Sequence, residues 1–431
     1  MIVPLLIGLG LTSAASVSSQ PLPTPLQKAI AELDRTDPTW RVEALLRALP
    51  ALPEADNSVP RLTKLAVRLR ERYEAGKLPL DEVQGPANER PQRAVLRNLR
   101  ARREPLKAEI AQARELVRWP RGRFPTVIPD DPLRRDTGDR QGVRLVVQLL
   151  HDDAWLRAVE GKPDDALRSA HAALYATRAL DDDVNLVAVL ARAATFARTA
   201  SSIERTLALG QASDAVLRDL GERLRTDERF SARVALKAER DFVLRTAMHH
   251  VEVEHPAARA ETAGLCWTHR VDDHMLLRIE QAILLRRLTR MLTIADLPPP
   301  RQFAAETAWA AEESGPLTRL LLPDLAKINA AVRTTRARAA VLRTLLAVER
   351  YRLRHGKWPA KLDDCVPAYL DKVPLDPIDE APLRYKILPD GVVVYSIGND
   401  RKDDGGNAQD DGMYRLWDVD KRGLAAEEEE P

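Results

Sequence analysis

Proline does most to limit how this chain can fold. There are thirty prolines in 431 residues, and most of them cluster between stretches of helical pattern rather than inside them. A proline lacks a backbone donor and clashes with the preceding helical turn, so each cluster is a joint between helices. One such arm runs from Pro21 to Asp56. Others lie at Trp119–Pro132, at Leu297-Pro298-Pro299-Pro300 and from Pro359 through Pro382. Between the joints the apolar residues recur at helical spacing.

A chain of this length can bury more than one core, and two to three domains are expected. Aromatic residues make up only 4%. The cores must therefore be built from Ala, Leu and Val, which suits closely packed helices. A formal net charge of +2 argues against a surface dedicated to nucleic acid. The apolar run Ile2–Leu11 is too short to span a bilayer, and Ser13 with Ala15 fits the small-x-small pattern of signal peptidase. Residues 1–19 read as an export signal, cleaved near Ala15 or Ser19. That places the mature chain in the periplasm or cell envelope with no membrane span. The two cysteines, Cys266 and Cys365, are expected to be unpaired.

A helical N-terminal region with its proline-rich arm is expected over residues 20–136. An all-helical, hairpin-like domain follows over 137–315, an α+β module over 316–424 and an acidic tail over 425–431. In the helical domain Asp164 or Asp165 is expected to cap one helix. Asp181-Asp182-Asp183 is expected to start a long Ala-rich helix ending near Gly210, and Ser213 to cap the next. The run Glu160–Leu167 followed by Ala172-Ala173-Leu174 looks like half of a tetratricopeptide repeat. No second copy follows at that repeat's period of about 34 residues, so stacked helical hairpins are the expectation. Leu317–Leu353 reads as a helix interrupted by Pro323 in its first turns.

After His355-Gly356 ends that helix, Leu383–Leu388 and Val392–Ile397 read as strands joined by the turn Pro389-Asp390-Gly391. Tyr414–Trp417 can add a third. The fold class is therefore mainly α, with a small α+β C-terminal module around a short antiparallel sheet.

The order Gly356-Lys357-Trp358-Pro359, Leu375-Asp376-Pro377 and Tyr395-Ser396-Ile397-Gly398 leading into an aspartate-rich loop resembles the soluble part of the major pseudopilin of type II secretion. The likeness covers roughly Leu342–Asp420. The joining of an all-helical body to such a module is also similar to large proteins of planctomycete-type bacteria, a likeness that implies architecture and no activity. The pseudopilin resemblance implies that calcium is held by the loop after the sheet. Asp400 and Asp411 match best, Asp403 and Asp404 share one position, and the carbonyls of Ser396 or Ile397 act as helpers. The chain departs from a pseudopilin in bearing Arg333, Arg336, Arg338, Arg343 and Glu349 on the matching helix, which cannot anchor in a bilayer.

The loop also has a reading of its own. Asp400, Asp403, Asp404, Asp410 and Asp411 crowd five carboxylates into one short segment, which disfavour each other unless a cation offsets them. Gly405-Gly406 permits a sharp turn, and calcium takes six to eight oxygen ligands from such loops. Lys402 occupies the place where an EF-hand needs an oxygen, so it is not that motif.

Two further constellations stand out. His249, His250, His255, Cys266, His269 and His274 form a cluster with zinc-type donors. Neither zincin motif is present, so the bland reading is solvated, hydrogen-bonded histidines. Arg90, Arg93, Arg97, Arg100, Arg102 and Arg103 form a basic stretch without interleaved aromatics. It is followed by Glu104, Glu109 and Glu115, as on a solvated helix face with ion pairs. The leading functional expectation is a non-enzymatic exported scaffold that docks a protein partner through its helical body. A metal-dependent hydrolase using the histidine cluster, and an accessory component of a type II secretion or pilus-like system, are the alternatives.

Overall fold

The computed structural model describes residues 24–74, 87–128, 140–252, 272–406 and 412–425. The export-signal reading, the histidine and cysteine positions 253–271, and Asp410 and Asp411 lie outside them. The chain is mainly helical with one small sheet, as its pattern predicts. The N-terminal helices are α1 (Pro25–Thr36), α2 (Val42–Ala48), α3 (Val59–Glu74), α4 (Arg93–Arg103) and α5 (Lys107–Arg114). The body continues with α6 (Arg140–Val159), α7 (Pro163–Thr177), α8 (Leu186–Leu209), α9 (Asp214–Asp227) and α10 (Arg233–Glu252). Next come α11 (Asp272–Ala295), α12 (Pro299–Ala310), α13 (Pro316–Leu321) and α14 (Leu325–His355).

Three strands close the chain: β1 (Arg384–Leu388), β2 (Gly391–Ser396) and β3 (Gly412–Trp417). They pair antiparallel in the order β1-β2-β3. The Pro389-Asp390 turn sets Leu388 opposite Gly391, and Val394 then lies between Tyr385 and Tyr414.

Local chemistry explains the boundaries. Asp324 caps α14 by accepting from the Lys327 amide at 3.1 Å. Gly356 ends it with a φ of 71°, a conformation that costs glycine little. The Pro323 interruption is real, since α13 stops at Leu321 and α14 starts at Leu325. The Asp181-Asp182-Asp183 run does not start α8. Asn185 does, accepting from the Val187 amide at 2.9 Å, while Asp181 and Asp183 are drawn to Arg192 and Arg140. Those guanidinium groups are buried and need a counter-charge, which the two carboxylates supply. Lys162 precedes α7 with Pro163 in its first turn, and Asp164 accepts from the Ser213 amide at 2.7 Å instead of capping its own helix.

One helix organises the rest. α14 packs on α8 and α9 with one side and on β2 and β3 with another. Its Leu342, Leu345 and Leu346 belong to a single buried cluster with Leu174, Phe196, Ile203, Leu220, Val392, Val394 and Leu416. The sheet and the helical body thus share one core. A second core lies among α3, α5, α6 and α7, where Leu62, Leu69, Ile110, Val146 and Ala173 meet. The arm folds back so that Leu26, Leu33 and Trp40 pack on Leu244 and Leu285. α8 is long and apolar enough to cross a membrane by length and composition, with 61% of its most apolar window buried. Its Arg192 is itself buried, bonded to Asp181 at 2.7 Å and to Asp227, which marks a core helix.

Charge locks the C-terminal segment onto this frame. Glu349 of α14 is fully buried. It accepts from Arg422 at 2.8 and 3.0 Å and from Arg352 at 2.7 and 2.9 Å. Burial pushes the Glu349 carboxyl up, but these two guanidinium groups hold it below the usual carboxylate range. Arg422 also donates to the carbonyls of Trp417 and Gly210, tying the chain beyond β3 to the end of α8.

Removing one partner of a buried pair leaves an uncompensated charge. Arg422→Ala is expected to lower stability by about 3 kcal/mol in urea unfolding, the lower end of the usual range because Arg352 remains. A loss within about 0.5 kcal/mol, typical of surface changes, would mean that Glu349 does not depend on it.

Candidate functional site: the acidic loop and the buried carboxylate behind it

The loop between β2 and β3 is built on a buried aspartate that lies twenty residues upstream. Asp376 has no exposed surface. Four donors reach it: the Ile378 amide at 2.9 Å, the Ser396 hydroxyl at 2.8 Å, the Ile397 amide at 3.0 Å and Arg384 Nη1 at 2.8 Å. Burial pushes the Asp376 carboxyl up, and the Ile378 and Ile397 amides with the Ser396 hydroxyl oppose that rise. Three of these four neighbours, the two amides and the guanidinium, can only donate, an arrangement that favours the ionised carboxylate. The Ser396 hydroxyl and the Ile397 amide therefore face Asp376 and fix where the loop leaves the sheet.

Arg384 carries the link outward. It pairs with Asp376 and Asp379 and comes within 3.8 Å of Asp403. Asp403 accepts from the Tyr395 hydroxyl at 3.1 Å and from the Gly405 amide at 3.0 Å. Lys386 donates to the Gly405 carbonyl at 3.0 Å. Gly405 and Gly406 both hold positive φ, at 80° and 84°, and a Cβ at Gly406 would press on the Tyr395 ring. Only glycine suits that turn.

The loop's far side is anchored to the helices. Asn399 donates to Thr334 of α14 at 2.6 Å and accepts from Arg333 at 3.3 Å. Arg401 and Arg333 both lie over the Phe303 ring of α12, at 4.9 and 4.2 Å from its centre, a favourable cation–π placement.

The predicted ligands thus separate into distinct groups. Asp403 is positioned by Tyr395 and Arg384, Asp400 accepts from the Lys402 amide at 3.2 Å, and Asp404 is exposed. Ser396 and Ile397 join Asp403 through Asp376 and Arg384. Among the described residues no group of three or more histidine, cysteine, aspartate or glutamate side chains is set to hold a metal ion. Arg384, Lys386 and Arg401 bring positive charge to the same loop.

Sequence reasoning noted Leu375-Asp376-Pro377 but missed Asp376 as the hub, because its partners come from three separate segments. A second missed feature lies where the body meets β3. Glu204 of α8 accepts from the Arg415 amide at 3.0 Å, capping the outer edge of β3. Burial raises its carboxyl to about 7, against the pull of the Arg415 amide and of Arg205. Nearby on α6, His151 shares a hydrogen bond of 2.6 Å with Ser202. Burial, with Arg198 and Arg205, pushes its ring down to about 4, so the imidazole is neutral at physiological pH. The adjacent Asp152 turns away to Gln148 at 2.7 Å, and burial raises it to about 6. Cys365 is free and buried, its thiol pushed up to about 12 by burial, so it is inert at neutral pH.

Comparison with protein-family models, with curated proteins and with solved structures finds no match to this chain.

Two outcomes follow from this geometry. Asp376→Asn puts an amide donor among four donors and leaves buried polar groups unpaired, which should cost about 2–3 kcal/mol in urea unfolding. An unchanged midpoint contradicts the hub. Glu204 titrates higher when folded than unfolded, so the folded chain takes up a proton between pH 4.5 and about 7. Its contribution is full at low pH and fades as pH rises through 7. Glu204→Gln should therefore melt above wild type at pH 8 and converge with it near pH 4.5. A gap constant across that window contradicts the assignment.

Proposed function

We propose that this protein is a non-enzymatic, exported scaffold that docks a protein partner through its helical body and carries a C-terminal module stiffened by calcium. One observation supports it above the rest: the buried charges join separate elements to one another. Arg192 ties α8 to Asp227 of α9, Arg422 ties the terminal segment to Glu349 of α14, and Arg384 ties β1 to the Asp376 turn. Buried groups satisfied in this way hold elements in fixed relation. A rigid presenting surface needs that property. Arg343–Glu228 and Arg350–Asp214 add pairs between α14 and the α9 region.

The calcium part rests on donor chemistry. Asp400, Asp403 and Asp404 supply hard carboxylate oxygens beside the Gly405-Gly406 turn, with Asp410 and Asp411 adjacent in sequence. Of the proposed ligands Asp403 is the one that the sheet holds, through the Tyr395 hydroxyl. Bound calcium would bridge the loop and so link the end of β2 to the start of β3.

Thermal melting across a calcium titration tests the ion. Binding to the folded state alone stabilises by about 2.7 kcal/mol at a hundredfold excess over Kd. A rising midpoint absent in Asp403→Asn and not reproduced by magnesium supports the site; a flat titration removes it. Affinity capture from an envelope fraction tests the scaffold. Recovery of one protein partner at stoichiometric level is expected, and recovery of none overturns the reading.

A further inference from the structure

The arginines of α4 form a stripe that the scaffold reading leaves unused. Arg93, Arg97 and Arg100 stand at i, i+4 and i+7, on one face of the helix, and all three are exposed. The opposite face is spent on packing: Leu99 is buried against Ala154 and Trp155, with Val95 and Leu96 beside it. Arg100 lies 3.5 Å from Glu160.

The end of the described chain arrives beside this stripe in a defined direction. The Leu424 amide donates to the Asn88 carbonyl at 2.9 Å, and the Arg90 amide donates to the Leu424 carbonyl at 2.8 Å. That pair of bonds is a parallel bridge between Glu89 and Leu424. Asn88 also donates to the Lys421 carbonyl at 3.0 Å, and the Gly423 amide to the Ala208 carbonyl at 3.1 Å. Because the bridge is parallel, the chain leaving Leu424 travels the same way as the chain leaving Glu89. That way leads through Arg90, Pro91 and Gln92 into the first turn of α4.

The sequence that follows is Ala425-Ala426 and then Glu427-Glu428-Glu429-Glu430. We propose that this glutamate run docks on the Arg93–Arg97–Arg100 face of α4. Six residues beyond Ala425 reach up to roughly 20 Å, and the stripe from Arg93 to Arg100 extends only about 10 Å along the helix. The two stretches are opposite in charge, and the tail is long enough to span the stripe. Exposed pairs of this kind are individually weak and screened by salt, so the contact is reversible and yields to a more strongly anionic partner.

Spin labels report the contact in the full chain. They are placed at Ala101→Cys on α4 and at Pro431→Cys, in a Cys266→Ser background where Cys365 stays buried. A short-distance population is expected at about 25 mM salt and should vanish at about 500 mM, where the screening length falls severalfold. It should also vanish when Arg93, Arg97 and Arg100 are changed together to glutamine. Replacing Glu427–Glu430 by glutamine, which leaves α4 untouched, should abolish it equally. One broad distribution common to all samples overturns the proposal. So does a short distance in a mixture of singly labelled chains, which assigns the face to the tail of a second copy.

Discussion

The carboxylate of Glu349, buried without any exposed surface, is the interaction on which the architecture depends. Alone in an apolar core it would be intolerable. It is tolerated because Arg352 reaches it from one turn along α14 while Arg422 reaches it from beyond β3. That requirement fixes where the chain must go after the sheet. Arg422 passes the constraint on to the carbonyls of Trp417 and Gly210, so the end of β3, the end of α8 and the last turns of α14 meet at one point. The parallel bridge of Leu424 with Glu89 then holds the terminal segment against the entry to α4.

Around this point the protein solves a problem set by its composition. With few aromatic residues, its helices approach closely through alanine and leucine, and long arginines occupy the spaces between them. Arg192, Arg223 and Arg240 are buried, paired with Asp181, Asp227 and Asp37. Such pairs gain little net stability over apolar residues of the same size. Each one demands a specific partner on a specific element, however, and so discriminates against other packings. α14 is the clearest product: its apolar residues and its charges serve the body and the sheet at once.

The acidic loop follows the same logic. Arg384 stands beside Asp403, Lys386 holds the Gly405 carbonyl, and Asn399 and Arg401 fasten the loop to α14 and α12. The position of Asp403 is inherited from Asp376 through Arg384 and from β2 through Tyr395. The loop is thus an extension of the sheet's polar core.

Much of the fold was legible in the chain because its signals are local. Pro323 had to break the helix before α14, Gly356 had to end it, and Pro389-Asp390-Gly391 had to turn β1 into β2, whatever else surrounded them. The period of apolar residues marked the helices, and β-branched residues marked β2. Partners distant in sequence carry no such mark. Asp376 meets Ser396 across 20 residues, Asp183 meets Arg140 across 43, and Glu204 caps the amide of Arg415 across 211. In the sequence Asp183 looked like part of a helix start, and nothing near Glu204 marked it as a strand cap. Backbone preference is a property of a few neighbouring residues, so it could be read directly. The fate of a charge depends on which other charge shares its low-dielectric surroundings, and only the packed structure decides that.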